Sequence, residues 1–212
     1  MVMVLPYCAP CDAMEELLKA EKDTFKNFGE YEIINISGID SIRDYKKPND
    51  VKNKIRECES VNQKTLTLTV NRMLTGSTVE QWDTMLYFKD MASPQEYDQS
   101  IFRLQNQYVR TLSSEKGVIK ENLKPQTLLV DFDPDRLFRM QEQKSLIYNV
   151  NTDENGNEKL KERIMEELRI SPIIMMNQKK IKEADANNIL EAVSEYNNQR
   201  SVSDEVLDLP ID

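Results

Sequence analysis

The sequence predicts an α/β fold, a mostly parallel sheet with flanking helices over residues 1–132, followed by a mainly helical extension over 133–212. Two observations carry this. Short runs at 1–5, 31–36, 64–70, 83–88 and 126–132 have the length and apolar content of strands. Segments of helical periodicity lie between most of them, and parallel pairing needs crossover connections of that kind. After Phe132 the texture changes to helical patterns, and there is no internal repeat.

Composition narrows the function classes. With 212 residues, 39% hydrophobic and 31% charged, the chain is large enough to bury a core and reads as soluble. No segment approaches the ~18 apolar residues of a membrane span, and residues 1–6 are too short for a signal peptide. Three cysteines, an odd number, make no disulfide framework and point to a reducing cytoplasm. The absence of histidine removes Ser-His-Asp and Cys-His nucleophile pairs and His-ligated metal sites. A net charge of −9 argues against an independent nucleic-acid binder, because phosphate neutralisation by Lys and Arg supplies most non-specific affinity.

Taken in order, 1–5 is the pattern of a strand buried on both faces, ended by Pro6-Tyr7. A helix is expected from about Asp12, with Met14, Leu17, Leu18 and Phe25 toward the core. After the strand at 31–36, Gly38 and the turn at 46–49 lead to a short helix with Val51, Ile55 and Cys58 on one side. The strands at 64–70 and 83–88 are separated by a polar loop and followed by a helix with a clear start. Ser93 is placed to cap it, Pro94 suits its first position, and Glu96 completes a capping box. Tyr97, Ile101, Leu104 and Tyr108 recur at spacings of four, three and four, which predicts one buried face. Gln99 and Arg103, four apart, and Arg110, seven further on, form a polar stripe expected near the end of the second of these strands. Lys116-Gly117 reads as a connecting loop before a buried strand at 126–132. Beyond it, a helix runs from Pro134 to about Ile147, 149–157 is a polar linker, and 159–168 is amphipathic through Leu160, Ile164 and Leu168. Residues 173–176 read as an isolated strand, Asp185 as the cap of a last helix carrying Ile189 and Val193, and 201–212 as a fraying acidic tail.

The block 71–110 resembles motifs V and VI of superfamily 2 helicases and translocases, in the version found in motor subunits of restriction enzymes. The family's motif VI runs Gln, three residues, Arg, two residues, Arg. Gln99 and Arg103 fit it, and Asn106 stands at the last position. The loop Leu74-Thr75-Gly76-Ser77-Thr78 is similar to motif V, with Thr78 where many relatives carry Asp. The resemblance covers roughly 1–132 and implies the second RecA-like domain of an ATP-dependent DNA translocase. It implies that Arg103 acts as an arginine finger, that Gln99 orients it or touches the phosphates, and that Thr75, Gly76 and Thr78 face the nucleotide. Asn71 and Thr75 would meet the DNA backbone, and Arg110 is a candidate to replace the missing second arginine. The phosphate loop Gly-x-x-x-x-Gly-Lys-Ser/Thr is absent, and no acidic Walker B partner is apparent. ATP and Mg²⁺ are therefore expected mainly on an absent first RecA-like domain, and this chain alone is expected to be inactive. The implied partners are that domain, double-stranded DNA, and nuclease, methyltransferase or specificity subunits, with no membrane.

Two other patterns compete. Cys8-Ala9-Pro10-Cys11, between a strand and a helix, resembles the redox motif of thioredoxin-like oxidoreductases; packing of small residues at a strand-to-helix turn is the simpler reading. Asp135 with Glu142-Gln143-Lys144 imitates the metal-binding pattern of restriction nucleases. That chemistry needs Glu and Lys on a strand, and here the pattern is helical. A non-catalytic RecA-like interaction module is the remaining alternative.

Overall fold

The computed structural model describes residues 1–38, 45, 47–74, 77–90, 94–114, 117–147, 156–177 and 180–195. Thr75, Gly76, Ser93, Lys116, most of the 149–157 linker and the acidic tail lie outside these residues. The chain divides into two compact units, Met1–Phe132 and Asp133–Asp212.

In the first unit the order is β1 (Val2–Val4), α1 (Cys8–Ala20), β2 (Tyr31–Asn35), α2 (Pro48–Ser60), β3 (Lys64–Thr69), β4 (Thr84–Tyr87), α3 (Pro94–Leu104), β5 (Val109–Ser114), β6 (Gly117–Asn122) and β7 (Leu128–Asp131). Five strands form one sheet in the order β2-β3-β1-β4-β7, and every pair is parallel. The predicted α/β fold with a parallel sheet and flanking helices is thus observed, and β1, central and wholly buried, explains the unbroken apolar run at the start.

The chain leaves β1 toward β2 and then reverses direction, so right-handed crossovers put α1 and α2 on opposite faces. Met3, Leu66, Leu68 and Ile33 pack with Cys11 and Leu18 of α1. The alternate residues, Val2, Val4, Thr67, Thr69, Met85 and Tyr87, are buried on the other face. The register pairs Val2 with both Thr67 and Met85.

Several expectations are corrected. The first helix begins at Cys8, because Pro10 falls in a first turn whose amides need no intrahelical acceptor. Leu17 and Phe25 are exposed, and Cys11 takes an inward place. β7 pairs only with β4, so as an edge strand it is half-buried or exposed rather than buried. Residues around Gly117 are not a simple loop. β5 and β6 form an antiparallel hairpin, with Gly117 at φ 123, a conformation that favours glycine.

The second unit contains α4 (Pro134–Ile147), α5 (Gly156–Ile170), β8 (Ile174–Asn177) and β9 (Lys180–Glu183), with residues 186–195 helical. Phe138, Leu160, Ile164, Ile189 and Val193 make its core. The strand expected to be isolated pairs antiparallel with β9. The last helix starts with a reciprocal cap: the Asn188 amide donates to Asp185 Oδ1 at 2.9 Å, and the Asp185 amide donates to Asn188 Oδ1 at 3.3 Å. Glu142 lies within α4, where burial pushes its carboxyl pKa up; the strand geometry required by nuclease chemistry is not present at this position.

Candidate functional site

The site is built from α3 and the loop between β3 and β4. Along α3, Tyr97, Ser100 and Leu104 are buried and Ile101 is half-buried. Tyr97 sets the start of the helix: its ring meets Tyr87 edge-on at 5.3 Å and its hydroxyl donates to Asp131 Oδ2 at 2.7 Å, beside the C-terminal ends of β4 and β7. The helix then runs back across the sheet, and Leu104 lies near Trp82, which precedes β4. Tyr108, expected on the same helical face, falls beyond the helix and donates to both carboxylate oxygens of Glu59 at 2.7 and 2.8 Å.

The loop is fastened to β3 by the two threonines that alternate with Leu66 and Leu68. Trp82 Nε1 donates to Thr67 Oγ1 at 3.2 Å, and Thr69 Oγ1 donates to the Arg72 carbonyl at 2.9 Å. Both threonines are fully buried, so these bonds satisfy hydroxyls that would otherwise be costly to bury. Met73 and Leu74 plug the loop inward, and Met73 holds a left-handed φ of 66 that a methionine adopts only when its surroundings enforce it.

Of the residues singled out from sequence, the structure brings Arg103 and Thr78 together. Arg103 NH1 donates to Thr78 Oγ1 at 3.1 Å. Arg103 is half-buried, and among the described residues no carboxylate lies within ion-pair distance of it. Gln99, one turn earlier, is exposed. The expectation that this stripe emerges beside the strand C-termini holds for the start of α3 but not for Arg103, which sits in the last turn, near Trp82 and the N-terminal end of β4. Asn71 is elsewhere, at the C-terminal end of β3, where Lys89 Nζ donates to its side-chain oxygen and also meets Glu96 Oε1 at 3.2 Å. Asn106 caps α3, its amide donating to the carbonyls of Phe102 at 3.3 Å and Arg103 at 3.2 Å. Arg110 is in β5 and pairs with Glu59 at 3.9 Å.

Lys124 stands in no recognisable motif of the sequence. Its side chain is buried, and Nζ donates to the carbonyls of Trp82 at 3.1 Å and Leu104 at 3.0 Å. Burial lowers its pKa below the usual lysine value, opposed by the charges of Asp83 and Glu80. At the other candidate, Cys8 is exposed at the start of α1 and Cys11 is packed in the core, and the two are not joined in a disulfide. Among the described residues no group of three or more Cys, Asp or Glu side chains is arranged to hold a metal ion.

The fold and the site together define a parallel α/β domain whose helix after the fourth sheet strand presents an arginine with no carboxylate at ion-pair distance among the described residues. No protein-family model matches the chain, and no solved structure matches it. The chain is similar to a Mycoplasma pneumoniae protein provisionally named type II restriction enzyme and methyltransferase RM.MpnORF110P, C-terminus, with 31% identity over 117 residues. The match takes in 55% of this chain and only 16% of the length of that relative. Among the described residues no helix is long and apolar enough to cross a membrane.

Proposed function

We propose that this chain is the second RecA-like half of an ATP-dependent DNA translocase that works in a restriction-modification system. The observation that carries the reading is Arg103: a half-buried guanidinium on a packed helix, bonded to a neutral hydroxyl and facing no carboxylate among the described residues. A cation held in this way is available to an anion. Charge on a departing γ-phosphoryl group is the kind of anion an arginine finger stabilises.

In this reading a first RecA-like domain, in the same polypeptide or a partner, binds the phosphates of ATP and Mg²⁺. The chain described here closes across the cleft and delivers Arg103, with Gln99 exposed one turn away to touch the phosphates. Thr78 holds the guanidinium, and Thr75, Gly76 and Asn71 couple the cleft to duplex DNA. Alternate closing and opening of the two domains moves the protein along the duplex. Nuclease, methyltransferase or specificity subunits would complete the assembly. The relative's name supports that setting, because it joins restriction and methylation. A non-catalytic RecA-like module is the second reading, favoured by Asn106, which caps α3 where a second arginine would stand.

The test is ATP hydrolysis with and without duplex DNA. The pure chain should show none above background and should bind duplex weakly at physiological salt. Joined to a first domain carrying a phosphate loop, it should hydrolyse ATP faster when duplex is added. Hydrolysis by the pure chain, or no DNA stimulation in the joined protein, contradicts the proposal.

A further inference from the structure

Arg103 occupies the last turn of α3, and helix ends fray. The final carbonyls of a helix have no intrahelical donor. A guanidinium on a loose last turn would not hold a fixed position, and a group that stabilises a transition state must be placed to within about 0.5 Å. In this chain the carbonyls of Phe102, Arg103 and Leu104 all receive donors, the first two from Asn106 and the third from Lys124.

Lys124 does more than cap. Its second bond goes to the carbonyl of Trp82, at the end of the loop that carries Thr78. Trp82 is itself fixed to β3 through Thr67. The two partners in the Arg103–Thr78 bond therefore lie on two segments that one buried ammonium joins through their backbones. An ammonium offers three donors and no acceptor, so it can hold two carbonyls at once. Lys124 is only 7% exposed, and burying a lysine is costly unless its donors are used. A cation at this point also complements the negative end of the helix dipole.

We propose that Lys124 is a positioning residue for Arg103, locking the last turn of α3 to the loop so that the guanidinium is presented in one place. The inference rests on the reading of Arg103 as the group that meets the nucleotide. Its test uses the protein joined to its first motor domain, with DNA-stimulated ATP turnover as the readout. Lys124→Met fills the same space without donors. It should lower kcat by about tenfold or more while the KM for ATP stays within about twofold, since misplacement by an ångström costs up to about a hundredfold. Asn106→Ala, a half-buried and milder change, should give the same signature with a smaller drop.

The decisive comparison is with Arg103→Ala. If Lys124 and Asn106 act through Arg103, the double variants Arg103→Ala/Lys124→Met and Arg103→Ala/Asn106→Ala turn over no more slowly than Arg103→Ala alone. A merely structural role gives losses that multiply, and that result overturns the inference. So does an unchanged kcat in folded Lys124→Met when Arg103→Ala is severely impaired. Unchanged turnover in Arg103→Ala itself overturns the reading of Arg103 and the inference with it. Where Lys124→Met does not fold, Lys124→Gln takes its place in the same single and double variants, and the same outcomes decide.

Discussion

Arg103 and Arg110 are separated by seven residues, and helical spacing alone would set them on one stripe. The fold sends them to different surroundings. α3 ends at Leu104 and the chain turns into β5, so Arg110 rides on a hairpin with a side chain 52% exposed and Glu59 within 3.9 Å. Arg103 is half-buried, with a hydroxyl as its partner and its backbone tied on both sides. An exposed, paired arginine points to a ligand less than one on a rigid support with no carboxylate beside it among the described residues. An exposed ion pair contributes about 0–1 kcal/mol and leaves little potential for a ligand. A packed cation with no carboxylate beside it among the described residues keeps more of its attraction for a ligand anion.

The supports of the two arginines should differ in stability. Leu104 is fully buried next to Arg103, whereas Leu112 on the hairpin is exposed. Leu104→Ala is expected to cost about 2–5 kcal/mol through lost burial and a cavity. Leu112→Ala should cost under about 0.5 kcal/mol, as surface changes usually do. Denaturant unfolding of the two variants checks this, and equal losses would mean that the hairpin is as tightly held as α3.

A smaller effect separates the two sites in alkaline solution. At the Arg103 site, burial first and foremost holds the Lys124 pKa below 10.5, so above its folded pKa the unfolded chain binds more protons than the folded one. Stability contributed there rises with pH between the folded pKa and 10.5. At the Arg110 site, burial and the bond to Glu59 raise the Tyr108 pKa above 10.0, so the folded chain keeps its proton longer. That contribution is fully present below 10.0 and is lost as pH rises through the folded value. Relative to wild type, Lys124→Met should therefore lose the rise and Tyr108→Phe should lose the fall. Unfolding free energies measured across this range decide it, and a matching slope in both variants contradicts the assignment.

The sheet was legible because its central strands obey simple patterns. Residues 1–5 are apolar on both faces, and Val51, Ile55 and Cys58 recur at helical spacing and are buried as expected. The β5–β6 hairpin was not legible, since Val109–Ser114 and Gly117–Asn122 mix polar and apolar residues with most of them exposed on both faces. Periodicity has no signal to offer where no face is buried. In the site, Gln99 and Arg103 stand four apart on a helix whose periodicity the sequence shows, and their proposed role comes from the resemblance to motif VI. Asn106 read as a vacancy and is a cap, a role for which asparagine's short amide at a helix end is suited. Lys124 carried no signal, because a lysine beside Pro125 has the look of a surface loop and only the fold shows the two carbonyls it joins.

The most direct measurement is DNA-stimulated ATP turnover of Arg103→Ala and Arg110→Ala, each in the chain joined to a first domain that carries a phosphate loop and each shown to be folded. An arginine finger is worth about 10³ to 10⁵ in rate, or about 4–7 kcal/mol. Arg103→Ala should lose turnover on that scale while still binding ATP, and Arg110→Ala should stay within about threefold of wild type, in keeping with an exposed ion pair. Retention of more than about a tenth of wild-type turnover by Arg103→Ala, a loss under ~1.4 kcal/mol, would contradict the account. Equal damage in Arg110→Ala would contradict the distinction between the two arginines.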